Sequence, residues 1–164
     1  MKYNHIKNLI FVFSFLFGVN SYGQNSNKAP LSENAPTDKP HSFKGTDQLE
    51  EYDALIAPYV EKAQKTLKNA KKKYLKGLKE GQAFFLTTRI YDNLGNYEQI
   101  FVRVSAWEKQ SVNGTIANQL NAVKGYSYGQ TITFPESDIL DWLITNPDGS
   151  EEGNYIGKYL DTLR

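Results

Sequence analysis

The chain has 164 residues, with 19 Lys and Arg against 18 Asp and Glu, two His and no Cys. Without Cys there can be no disulfide, no thiolate metal ligand, no cysteine nucleophile and no lipid attached through Cys at a leader cleavage point. The two histidines, His5 and His41, both precede the region with core-forming periodicity, so Ser-His-Asp machinery and the usual zinc, copper and haem ligands are excluded from the domain, and no cofactor or metal site is expected.

The first residues carry Lys2, His5 and Lys7 without an acid, and residues 9–19 follow as an apolar run of 11. A spanning helix needs roughly 20 apolar residues, so the run is too short to cross a bilayer and fits the hydrophobic stretch of a secretory signal peptide. Small residues Ser21 and Gly23 predict cleavage before Gln24. The expected product is an exported protein, periplasmic or extracellular, with no transmembrane anchor in the mature chain. Loss of residues 1–23 removes two lysines and no acid, leaving 17 basic and 18 acidic residues and a net charge of −1. Residues 24–45 hold Pro30, Pro36 and Pro40 among small polar residues, the composition of a flexible linker. Residues 46–164, about 118 in number, suit one independent core.

A helix is predicted to start at Thr46-Asp47, where Asp47 and Glu50 have capping-box spacing. Pro58 predicts a break or the first turn of a second segment. Ile56, Val60, Ala63, Leu67, Ala70, Tyr74 and Leu78 then recur at helical spacing and form a core-facing stripe. Of Gly77 and Gly81, the pattern favours Gly81 as the C-terminal cap. Beyond it the period becomes two. Residues 84–91 and 97–107 flank the turn sequence of residues 92–96 and predict a β-hairpin with Ile100, Val102, Val104 and Ala106 on one side. Short strands are expected at 112–117 and 130–134, a tight turn at 136–138, a strand through Trp142 and Ile144, a turn at 146–149 and a short C-terminal helix through Ile156, Tyr159, Leu160 and Leu163. The fold class is therefore α+β, with an N-terminal amphipathic helix on a small, hairpin-rich antiparallel sheet of about five strands.

Two groups of residues can carry function. Carboxylates Glu98, Asp138, Asp141, Glu151 and Glu152 leave open acid–base work, and a glycosidase would need two of them about 5–9.5 Å apart. The plainer reading assigns Asp138 and Asp141 to turn backbone and Glu151-Glu152 to a solvated loop. Lys65, Lys68, Lys72, Lys76 and Lys79 form a stripe opposite the apolar face, suited to anionic headgroups, a polysaccharide or an acidic partner, or else to a solvated face beside the helix C-terminus. A nucleic acid is not expected, because the mature charge is near zero and the protein is exported. Tyr91, Tyr97, Phe101 and Trp107, all odd-numbered in the hairpin, form an aromatic partner-binding patch if they share its solvent face.

The segments 63–67 (Ala-Gln-Lys-Thr-Leu), 98–104 (Glu-Gln-Ile-Phe-Val-Arg-Val), 114–118 (Gly-Thr-Ile-Ala-Asn), 129–133 (Gly-Gln-Thr-Ile-Thr) and 139–142 (Ile-Leu-Asp-Trp) occur in an order that resembles the domain of unknown function 2314 family, also called YegJ-like, over residues 60–160. In that family's pattern the hairpin stretch reads Glu-His-hydrophobic-Trp; this chain has Gln99 for the His and Phe101 for the Trp. Glu98, Asn118, Asp141, Trp142 and Gly153 match. The resemblance implies a domain and no activity. At the level of the fold, the arrangement is also similar to small immunity-type domains that neutralise bacterial toxins. The expected function is a non-catalytic extracytoplasmic binding module, of interaction or immunity-like type, for an unknown protein or envelope component. The alternative is a carboxylate-based hydrolase of envelope polysaccharide that uses Glu98 and Asp141.

Overall fold

A computed structural model describes residue 36, residues 42–43 and residues 46–163. The leader expected over residues 1–23, most of the linker and the side chain of Asp47 lie outside the described residues. Within the segment expected as linker, Pro36 is buried and Ser42–Phe43 form a two-residue strand, β1.

Helix α1 (Thr46–Lys76) runs unbroken through Pro58. The expected break is absent because the defect faces water: Pro58 and Ala54, whose carbonyl loses its amide partner, are both exposed. On the inner side Tyr52 and Ile56 pack with Ile156 and hold the preceding turns in place. The predicted stripe is observed, with Ile56, Ala63, Leu67 and Ala70 buried and Val60 and Tyr74 half-buried. The cap is Gly77 rather than Gly81. Gly77 has φ of 99° and its N–H donates to the Tyr74 carbonyl at 3.0 Å, a left-handed ending that glycine adopts without steric cost. Leu78 still packs on the core from beyond the helix, whereas Lys79 is no longer part of the helical stripe.

The remaining strands are β2 (Ala83–Tyr91), β3 (Tyr97–Glu108), β4 (Ser111–Ile116), β5 (Thr131–Pro135), β6 (Asp141–Thr145) and β7 (Glu151–Gly153), and the chain continues into α2 (Tyr155–Asp161). The sheet is antiparallel in the order β5-β4-β3-β2-β6-β7, with β1 paired to β3. Seven strands stand where about five were expected, because β1 and β7 are too short to show alternation. β7 contains Glu151 and Glu152, so these half-buried acids are paired in the sheet rather than in a solvated loop. The hairpin turn is closed by Asp92, whose Oδ1 accepts the N–H groups of Leu94 and Asn96. A single 3₁₀ turn at Glu136–Asp138 leads into β6 as predicted. Leu163 lies past the end of α2 and is exposed.

Both faces of β2 are buried. Phe84, Leu86 and Ile90 join Ala63, Leu67, Ala70, Ile100, Val102, Trp142 and Ile144 in the core beneath α1, while Ala83 and Phe85 join Phe101, Ala117 and Leu143 on the opposite face. Leu67 sits mid-stripe with 5% of its surface exposed. Leu67→Ala should cost roughly 2–4 kcal/mol through the cavity it leaves, and Lys68→Ala, on the solvent side, less than about 0.5 kcal/mol. Urea unfolding midpoints measure both, and an unshifted midpoint for Leu67→Ala would mean that the wrong helix face has been assigned to the core.

Candidate functional site

Glu98 is fully buried on β3, where its carboxylate fills a concavity of backbone N–H groups in the loop between β4 and β5. Asn121 N–H donates to both oxygens at 2.9–3.0 Å, and Ala122 and Val123 donate to Oε2 at 2.9 and 3.4 Å. Successive amides directed at one anion satisfy the loop backbone and neutralise the buried charge together. The oxygens are occupied by these donors, and Glu98 clasps the loop to the sheet.

Asp141 opens β6 and is 1% exposed. Its Oδ1 accepts the N–H of Trp142 at 2.7 Å and its Oδ2 the N–H of Ile156 at 2.7 Å, so the carboxyl bridges β6 to the start of α2. Burial pushes its pKa up to about 7, against the pull of the N–H donors and of Lys158. The unfolded chain releases this proton near the ordinary Asp value of about 3.9, so between about pH 4 and pH 7 the folded state holds a proton that the unfolded state has lost. The stability from this group is complete below about pH 4 and is lost as pH rises through about 7. Residues 46–164 contain no histidine, so no imidazole within them titrates in that window. The urea midpoint should therefore be higher at pH 5 than at pH 8, and a pH-independent midpoint would contradict the assignment.

The two carboxylates required by the hydrolase alternative are not brought together. Glu98 is in register with Ile90 and Asp141 with Thr87. On β2 these positions differ by an odd number, so the two side chains leave opposite faces of the sheet.

The other motif positions also serve the fold. Asn118 ends the β3–β4 ladder: its Oδ1 accepts the Phe101 N–H at 2.8 Å and its Nδ2 donates to the Gln119 carbonyl at 2.9 Å. Phe101 is buried in the second core cluster. Trp142 lies in the main core, stacked with Phe84 at 6.4 Å and edge-on to Tyr155 at 6.0 Å, while its indole N–H donates to the Thr66 hydroxyl at 2.9 Å. Gly153 presses against the Trp142 backbone, which leaves no space for a side chain.

The condition for an aromatic patch on the hairpin, a shared solvent face, is not met. Tyr91 is exposed, but Tyr97, Phe101 and Trp107 are all buried. The register of β3 on β4 shifts between Val104 and Ala106, and this bulge puts Trp107 in the main core beneath α1 while Phe101 faces the opposite way. A bulge inverts the alternation after it, and sequence periodicity alone does not reveal it.

The lysines of α1 divide into two groups that spacing alone does not separate. Lys71 on one flank pairs with Glu136, donates to the Lys109 carbonyl at 2.8 Å and lies 4.8 Å from the Trp107 ring centre; the Trp107 indole N–H donates to the same carboxylate at 3.0 Å. Lys73 on the other flank pairs with Glu152 of β7. Lys65, Lys68, Lys72, Lys76 and Lys79 are all exposed. Lys65 is paired with Glu61 at 2.6 Å, and Lys68, Lys72, Lys76 and Lys79 form no ion pair among the described residues. Between α1 and α2, Tyr59 stacks on Tyr159 at 4.1 Å and the Lys62 ammonium stands 4.8 Å from the Tyr155 ring centre, contacts that the sequence did not indicate. Among the described residues no group of three or more His, Cys, Asp or Glu side chains is placed to hold a metal, and no helix is long and apolar enough to cross a membrane.

The family model described as an uncharacterized protein conserved in bacteria, DUF2314, matches residues 53–162. No curated protein and no solved structure matches the chain.

Proposed function

Since the chain belongs to the DUF2314 family, a family whose description names no activity, we propose from its own surface that it is a non-catalytic binding module acting outside the cytoplasm once residues 1–23 are removed, and that it holds an anionic partner of the cell envelope on the outward face of α1. The observation that carries this reading is the unneutralised charge of Lys68, Lys72 and Lys76 on an exposed, rigidly mounted helix face. Glu98 and Asp141, the acids that an enzyme reading would use, are engaged with backbone N–H groups on opposite sides of the sheet. An evenly charged face attracts and orients an oppositely charged partner, and the attraction weakens with salt.

The test is capture from envelope extract on the immobilised mature protein beside the variant Lys68→Gln/Lys72→Gln/Lys76→Gln, followed by identification of what is retained. Anionic components retained by the wild type, released by high salt and absent from the variant are the expected result. Equal retention by both proteins, or hydrolysis of envelope polysaccharide that depends on Glu98 and Asp141, would contradict it.

A further inference from the structure

We infer that the anionic partner is a lipid bilayer surface, against which α1 lies flat with Lys68, Lys72 and Lys76 on the headgroups and Leu75 at the edge of their arc; this rests on the reading of the lysine face proposed above. At about 100° per residue, the three lysines fall within an arc of roughly 80° and extend over roughly 12 Å of helix. The two flanks fix which way that arc points. Lys71 is drawn to Glu136 and the Trp107 ring on one side and Lys73 to Glu152 on the other. At helical spacing Lys72 bisects the angle between them and points away from the body of the protein. The buried positions Ala63, Leu67 and Ala70 lie on the opposite side of the helix, so the arc cannot turn inward without loss of the core.

Three features distinguish a lipid surface from a shaped acidic partner. The face is convex, the outer side of a single helix, and two grooves of the domain open elsewhere: one is lined by residues such as Tyr59, Tyr155 and Tyr159, the other by residues such as Thr88, Tyr126 and Phe134. The cations are all lysines, which act as point charges toward a diffuse anionic layer, whereas bidentate recognition of individual carboxylates or phosphates favours arginine. At the edge of the same face, about 20° beyond Lys68, Leu75 is 59% exposed although the stripe behind it is well packed. An apolar side chain beside the cations contributes burial in the headgroup region that a soluble polyanion does not offer.

Vesicle sedimentation tests the inference, with the chain from Gln24 onward. The vesicles contain phosphatidylcholine alone or with about 30% phosphatidylglycerol, at about 0.1 M and about 0.5 M salt, and a heparin column serves as the soluble polyanion. Each lysine near an anionic surface contributes about fivefold in partitioning. Lys68→Gln/Lys72→Gln/Lys76→Gln should therefore weaken binding to anionic vesicles by about 100-fold. Leu75→Ala should weaken it several-fold and leave heparin retention unchanged. Neutral vesicles should not bind the protein, and the higher salt should release it from anionic ones. Equal binding to neutral vesicles, or anionic binding that survives the triple substitution, overturns the inference. Lysine-dependent heparin retention without vesicle binding overturns the lipid assignment alone and leaves the anionic-partner reading standing. Failure to bind either probe overturns both.

Discussion

Glu98→Ala should destabilise the domain by about 5 kcal/mol, the largest effect expected of any single side chain in it. The carboxylate is fully buried and receives N–H groups from Asn121, Ala122 and Val123. Hydrogen bonds to a charged group contribute about 1.5–3 kcal/mol each, and an amide left buried without an acceptor adds its own desolvation cost. A loss of this size is comparable with the whole stability of an ordinary domain, about 5–15 kcal/mol. Circular dichroism and urea unfolding should show a largely unfolded or marginal protein. Glu98→Gln should be intermediate, since the amide keeps one acceptor and turns an NH2 group toward the donors. A Glu98→Ala protein with a wild-type midpoint would mean that the loop over residues 121–123 is held by something else.

Gly153→Ala should cost about 4 kcal/mol, seen as a fall in Tm of roughly 15–20 °C. A Cβ on Gly153 would stand 2.2 Å from the Trp142 carbonyl oxygen and 2.7 Å from its ring, and φ at this position is +76°. The left-handed conformation costs an alanine about 1–2 kcal/mol, and the clash adds an overpacking cost of about 1–3 kcal/mol. That carbonyl accepts the Asn154 N–H at 2.8 Å, the contact from which the chain turns into α2. Displacement of it should loosen both the Trp142 environment and the bridge from Asp141 to Ile156. Trp fluorescence should report the change together with the Tm. A variant that melts at the wild-type temperature would contradict the close packing of β7 on β6.

Periodicity made the architecture legible where it was long and regular. The stripe from Ile56 to Leu78 placed α1 on the core, and alternation on either side of residues 92–96 placed the hairpin. Three features broke those regularities. Pro58 sits on the wet side of α1, so the helix tolerates a residue that usually ends one. The β3 bulge reversed the facing of Trp107, while Tyr97 and Phe101 before it are covered on their own face. β1 and β7 draw on partner strands rather than on their own two or three residues. Composition already removed thiol and imidazole groups from residues 46–164. The sequence marked Glu98 and Asp141 as important without indicating why, because both act through backbone N–H groups that are distant in sequence, 23 to 25 residues away for Glu98 and up to 15 for Asp141. The lysine stripe was legible, and its division was not: Lys71 and Lys73 find partners on strands and turns that approach only in the folded chain.

The assignment of acids to structure and lysines to binding is tested most directly by a paired measurement on Asp141→Asn, in which thermal unfolding and capture of the envelope partner are recorded on the same protein at pH 5. A neutral Asp141 can still accept at both oxygens. Asn keeps one acceptor and turns an NH2 group toward the N–H of Trp142 or Ile156, so the variant should be about 1–3 kcal/mol less stable at pH 5. The gap should narrow toward pH 8, where the wild type itself loses stability as its carboxyl ionises. Per folded molecule, the variant should capture the partner as well as the wild type does. A variant as stable as the wild type that captures nothing would contradict the account and place Asp141 in the working site.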